Sequence, residues 1–331
     1  MKKVNIAIVG ATGIVGRTFL KVLEERKFPI ENLYLFSSAK SKGCKLTFRG
    51  KEYEVEALTE ESFNRDIDIA LFSAGGAVSK KFAPIARDNG VIVVDNSSAW
   101  RMDKDIPLVI PEVNPEDIKW NNGIIANPNC STIQSVVPLK VLHDVFKIKR
   151  IIFSTYQAVS GSGMGGINDL ENGINGGKHK KYPHQIAYNC IPHIDDFMEN
   201  GYTKEEMKMI DETKKILNDE TIKITATTVR VPVKYGHSVS INIEFENPFE
   251  LEEVFKLLEN ADGIIVVDDI GINEYPMPLT CSGKDEVFVG RIRRDFSVDN
   301  GINMWVVADN IRKGAATNAI QIAELLIKNL K

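Results

Sequence analysis

The sequence runs to 331 residues, 43% hydrophobic and 26% charged, which is ordinary globular composition and long enough for two domains of roughly 100–200 residues each. A formal net charge of -4 argues against nucleic acid or an anionic membrane as the main partner, and no apolar run approaches the length of a membrane span. Cys44, Cys130, Cys190 and Cys281 are far apart with no C-x-x-C pair, so neither a zinc site nor a disulfide framework is expected.

Met1-Lys2-Lys3 leads straight into an apolar strand, Val4 to Val9, too short for a signal-peptide core, and a cytoplasmic location is expected. Its near-continuous apolarity suits a parallel sheet covered on both faces. It ends in Gly10-Ala11-Thr12-Gly13-Ile14-Val15-Gly16, and a helical pattern follows through Phe19, Leu20, Val22 and Leu23. Glycines there allow a tight bend and close approach to a pyrophosphate, while the helix N-terminus offers free N–H groups. The spacing is G-x-x-G-x-x-G rather than G-x-G-x-x-G, and the alternative is a turn that binds nothing.

A second strand over 32–36 ends in Ser37-Ser38-Ala39-Lys40-Ser41-Lys42. A carboxylate here would bind the ribose 2′-OH of NAD. Ser38 and Lys40 suit a 2′-phosphate instead, favouring NADP over a plain polar turn. Strands over 67–72 and 91–94 end in Ser73-Ala74-Gly75-Gly76 and Asp95-Asn96-Ser97-Ser98, positions where such sheets bind ligands. Arg101, just beyond, can grip a phosphate or carboxylate, or else form a surface salt bridge.

A strand over 123–126 leads into Asn127-Pro128-Asn129-Cys130-Ser131-Thr132, and a helix then begins. Cys130 therefore stands at or near a helix N-terminus, where the partial positive charge favours a thiolate and free N–H groups could form an oxyanion hole. A buried, inert cysteine is the alternative. A strand over 151–156 ends at Gln157, placed to orient a carbonyl or carboxylate, before a glycine-rich loop over 158–166. Runs over 225–233 and 238–245 alternate like strands, with Lys234-Tyr235-Gly236-His237 reading as a hairpin connection that brings Arg230 and His237 to one sheet end. His237 is the candidate to accept a proton from Cys130. The segment after Asn310 is helical in pattern and is expected to return to the first domain.

These motifs, with Gln157-Ala158-Val159-Ser160-Gly161, Arg230-Val231-Pro232-Val233 and Asp309-Asn310-Ile311-Arg312-Lys313-Gly314, resemble the aspartate-semialdehyde dehydrogenase family, in its bacterial form, over almost the whole chain. The resemblance implies an α/β fold: a Rossmann-type doubly wound sheet plus an α+β catalytic and dimerisation domain with a mixed sheet. Residues 1–129, completed by a C-terminal helix over 310–331, would bind NADP, and 130–309 would carry substrate and the homodimer interface. Cys130 would be the thioester nucleophile and His237 the acid/base partner. Gln157, Arg230, Asn129 and Glu205, or its neighbour Glu206, would hold the substrate, with Arg101 and Lys208 on its phosphate. Gly10, Thr12, Gly13, Ile14, Val15, Ser38, Lys40, Ser73, Ser160, Gly161 and Asn310 would line the NADP site. The implied reaction converts L-aspartyl 4-phosphate to L-aspartate 4-semialdehyde and phosphate, for lysine, diaminopimelate, methionine, threonine and isoleucine biosynthesis. An N-acetyl-glutamyl-phosphate reductase and a non-catalytic NADP-binding regulatory protein are the rival readings.

Overall fold

The computed structural model describes residues 3–329, which divide into two compact units, residues 3–128 with 315–329, and residues 129–314. In the first unit Val4–Val9 (β1) is followed by Ile14–Glu25 (α1), Ile30–Ser37 (β2), Lys45–Phe48 (β3), Lys51–Glu54 (β4), Glu56–Ala57 (β5), Ile69–Phe72 (β6), Gly76–Asp88 (α2), Ile92–Asp95 (β7) and Ile124–Ala126 (β8). Six strands form a parallel sheet in the order β5-β2-β1-β6-β7-β8, and β3 pairs with β4 separately. From β1 the chain moves outward to β2, then returns to β6 on β1's other side. Right-handed crossovers in opposite directions put α1 and α2 on opposite faces, which is the doubly wound Rossmann-type arrangement.

Ile6, Ile8, Leu35, Leu71 and Val94 pack with Phe19 and Leu23 of α1 and with Ala319, Ile320 and Ala323 of the C-terminal helix Thr317–Asn329. The alternate residues Ala7, Val9, Ala70, Phe72 and Val93 are just as fully buried. Two buried faces leave no polar positions, hence the unbroken apolar strands.

The second unit contains Cys130–Phe146 (α3), Ile148–Gln157 (β9), Gly163–Ile174 (α4), Lys204–Leu217 (α5), Lys223–Arg230 (β10), His237–Phe245 (β11), Leu251–Glu259 (α6), Ile264–Val266 (β12), Pro278–Cys281 (α7), Val287–Asp295 (β13) and Gly301–Ala308 (β14). Its sheet, β10-β9-β11-β14-β13-β12, is mixed: β10/β9 and β12/β13 are parallel and the other neighbours antiparallel.

The expected hairpin is not formed. β9 lies between β10 and β11, parallel to one and antiparallel to the other. Residues 231–236 instead step over the end of β9, a distance of about two strand spacings (~10 Å) that six residues span easily. Val159 N–H donates to Val233 O (2.8 Å) and Ser160 N–H to Lys234 O (3.2 Å), which fastens the crossing to the turn after β9. Pro232, without an N–H, cannot extend the ladder, and β10 stops at Arg230. Among the described residues no helix is long and apolar enough to cross a membrane. None of their His, Cys, Asp and Glu side chains form a group of three or more that could hold a metal ion.

Candidate active site

In the first unit, β1 and β6 flank the point where strand order reverses, and ligands bind beyond the C-terminal ends of such strands. Gly10 has φ 91°, and a Cβ on it would lie 2.3 Å from Ser73 O; one on Gly16 would lie 2.2 Å from Gly10 O. Close packing of the turn therefore requires both glycines. Gly13, the N-cap of α1, is not crowded in this way and leaves the helix N–H groups without a side-chain cap. The N–H groups of Ile14 and Val15, which no side chain caps, suit a diphosphate. Thr12 Oγ1 lies 2.8 Å from Ser37 Oγ and 3.3 Å from Ser41 Oγ, so a hydroxyl cluster joins this turn to the end of β2. Ser38 and Lys40 are exposed beside it, and residues 37–42 include no carboxylate. This surface fits a nicotinamide dinucleotide. Arg101 of the same unit is buried, with Nη2 donating to Asn96 O (3.0 Å).

The second unit brings most of the expected substrate residues together. Cys130 is the first residue of α3 and Asn129 its N-cap. Asn129 Oδ1 accepts from Ser131 N–H (2.9 Å) and Thr132 N–H (3.2 Å), an arrangement that contributes about 1 kcal/mol to a helix. The N–H groups of Ser131 and Thr132, the two after Cys130, thus already have an acceptor. Asn129 Nδ2 donates to Glu205 Oε1 (2.9 Å), which also accepts from Gln157 Nε2 (3.2 Å), while Lys208 Nζ donates to Glu205 Oε2 (3.1 Å) and Asp195 Oδ2 (2.6 Å). Burial would raise the Glu205 carboxyl, but the Lys208 ammonium and the Asn129 amide outweigh it and hold the group below the usual carboxylate range. Lys208 is pulled down by burial and held up more strongly by Glu205 and Asp195. Glu206 faces elsewhere, accepting from Thr203 N–H (2.8 Å) and Thr228 N–H (3.1 Å) as part of the α5 capping box.

One residue, Ala158, positions the other two candidates. Its N–H donates to His237 Nδ1 (3.0 Å) and its carbonyl accepts from Arg230 Nη1 (2.7 Å). His237 is completely buried, and burial, then the Arg230 charge, hold its pKa well below 6.5. A neutral ring that accepts at Nδ1 carries its proton on Nε2. Nε2 has no hydrogen-bond partner among the described residues, so the edge offered is a donor, whereas the sequence reading had it accepting from Cys130. Exposed Gly161 lies against that edge: a Cβ there would be 3.0 Å from Arg230 Nη1 and 3.3 Å from His237 Nε2. Ser160 and Asn310 are buried and bonded to each other, Asn310 Nδ2 donating to Ser160 Oγ (3.0 Å) and Gly236 N–H to Asn310 Oδ1 (3.0 Å).

Three participants escape sequence reasoning. Gln134, one turn along α3 from Cys130, donates to His237 O (3.1 Å) and Val306 O (3.2 Å). A Cβ on Gly314 would stand 2.8 Å from Cys130 Cβ, so any larger residue would push on the thiol-bearing carbon. Glu212, on α5, accepts from Asn129 N–H (2.6 Å). Only a buried polar residue in a helical pattern could have marked the first and last.

Residues 5–121 match the family model described as semialdehyde dehydrogenase, NAD binding domain, and residues 139–313 match semialdehyde dehydrogenase, dimerisation domain. The chain is 61% identical to the aspartate-semialdehyde dehydrogenase of Aquifex aeolicus, over 98% of each chain. Its fold superposes with a TM-score of 0.96, at 50% identity and 100% coverage of each chain, on aspartate semialdehyde dehydrogenase II of Vibrio cholerae complexed with ASA. The Candida albicans enzyme with NADP gives a TM-score of 0.80 at 28% identity, again over 100% of each chain.

Proposed function

Since this chain belongs to the aspartate-semialdehyde dehydrogenase family, we propose that it reduces L-aspartyl 4-phosphate to L-aspartate 4-semialdehyde and phosphate with NADPH, through a thioester on Cys130. The observation that carries this reading is the convergence, within one unit, of the Asn129-Cys130 turn, the Glu205–Gln157–Lys208 network, and the Arg230–Ala158–His237 group.

Each group has a chemical task. The Cys130 thiolate attacks the β-acyl carbon, the C–O bond to phosphate breaks, and phosphate leaves with the electron pair. Arg230, whose Nε has no hydrogen-bond partner among the described residues, presents a guanidinium to the substrate's α-carboxylate. Glu205 already accepts three hydrogen bonds; a carboxylate has about four lone-pair sites, which leaves room for the α-ammonium. That preference for a free amine disfavours an N-acetylated substrate. Lys208, bonded to Glu205 on the same helix, serves the phosphate. Bound NADPH supplies the hydride that reduces the thioester. His237 Nε2–H donates to the oxygen that gains negative charge on Cys130's adduct, and collapse of that adduct re-forms the carbonyl and returns the thiolate.

Run in reverse, NADP reduction by aspartate semialdehyde should require phosphate, whose attack releases the thioester. Turnover independent of phosphate, or none, would refute the reading. For the cofactor, Ser38→Asp should raise KM for NADP about tenfold by repelling the 2′-phosphate while moving KM for NAD much less; equal changes in both would place the 2′-phosphate elsewhere. The homodimer would form through the sheet face away from α3, where the Tyr156 and Trp305 rings meet tilted at 48° with centroids 5.3 Å apart and Tyr156 stays 39% exposed.

A further inference from the structure

Glu212 lies on α5 seven residues after Glu205, two turns on along the same helix face. Its side chain is 1% exposed, although a carboxylate leaves water only at high cost unless it is well bonded. Its Oε2 accepts the backbone N–H of Asn129 at 2.6 Å, while Glu205 Oε1 accepts the Asn129 side-chain amide at 2.9 Å. One helix face thus grips Asn129 by backbone and side chain together. The remaining polar atom of that side chain, Oδ1, accepts from Ser131 and Thr132. The backbone entering Cys130 is therefore held from both sides.

From this geometry we infer that Glu212 is a positioning residue for the nucleophile. It sets Cys130 in register with α5, the helix that also carries Glu205 and Lys208. The inference rests on the reaction proposed above, because register matters only if Cys130 attacks a substrate held by those two residues. The role assigned to Glu212 runs through the Asn129 N–H. Its loss should leave substrate affinity and remove reach, since misplacement of a reacting group by about 1 Å costs on the order of 100-fold in rate.

The test compares wild type, Glu212→Met and Glu212→Gln in phosphate-dependent NADP reduction by aspartate semialdehyde, together with iodoacetamide alkylation of Cys130 read by peptide mass mapping. Glu212→Met keeps side-chain length but has no oxygen acceptor. Its kcat should fall about 100-fold, with KM for the semialdehyde within about threefold and Cys130 alkylation about tenfold slower. Glu212→Gln retains an oxygen for the Asn129 N–H and should recover kcat to within about tenfold of wild type. A kcat in Glu212→Met close to wild type, a loss confined to KM, or equal losses in both variants would overturn the inference. Should Glu212→Met fail to fold, Glu212→Leu, which also lacks an acceptor for the Asn129 N–H, takes its place with the same expected and overturning results. A wild type without phosphate-dependent turnover, whose Cys130 alkylation nevertheless slows in the variants, would refute the proposed reaction and leave the anchor standing.

Discussion

Cys130→Ala should abolish turnover, lowering kcat on the order of 10⁴-fold or more, the range seen when a covalent nucleophile is deleted. NADP affinity, followed by fluorescence titration, should change by less than about twofold, because the glycine turn and hydroxyl cluster belong to a unit that does not contain Cys130. No other cysteine can replace it. Cys281 is buried and its thiol is pushed up by that burial, while Cys44 and Cys190 are exposed, neither standing at the start of an α-helix. Iodoacetamide should therefore inactivate wild type in step with modification of the Cys130 peptide, even though the exposed thiols react as well. Residual turnover above a few per cent in Cys130→Ala would remove the thioester from the mechanism.

How far the sequence reveals this arrangement depends on whether the determining contact is local. The strands of the first unit are legible because burial on both faces leaves uninterrupted apolar runs such as Val4–Val9. The Cys130 setting is legible because Asn129 caps its own helix within three residues. The pairing of β10 is not legible. Alternation reports only that a segment is extended, and a six-residue link suits a hairpin as well as a step across β9. Glu205 and Glu206 are adjacent and chemically identical, so only the fold separates the one facing Asn129 from the one capping α5. Glu212 is hidden for a related reason: a carboxylate in a charged helix reads as a solvated face, and its partner is 83 residues away. The sequence likewise shows His237 as a titratable group but not its tautomer, which depends on Ala158, 79 residues distant.

That tautomer leads to the second large effect. If His237 acts as an Nε2–H donor, His237→Gln, whose terminal NH₂ reaches a comparable position, should retain more activity than His237→Ala. The alanine variant should lose about 10²–10⁴-fold in kcat. A base at this position predicts equal damage from both, because an amide cannot accept the proton. The pH behaviour tests the same point. Burial and Arg230 hold the folded-state pKa well below 6.5, so protonation of the folded protein should produce no inflection in kcat near pH 6.5. In the unfolded chain the imidazole takes its proton near 6.5. Below that pH the unfolded state binds the extra proton first, so the stabilisation is complete above about pH 6.5 and declines as pH falls towards the folded value, by up to about 1.4 kcal/mol per pH unit. Urea unfolding of wild type and His237→Gln between pH 5 and 7.5 should show this slope in the first and its loss in the second. A kcat inflection near 6.5 that disappears in His237→Gln would show instead that the ring titrates freely, and would return His237 to the role of proton acceptor.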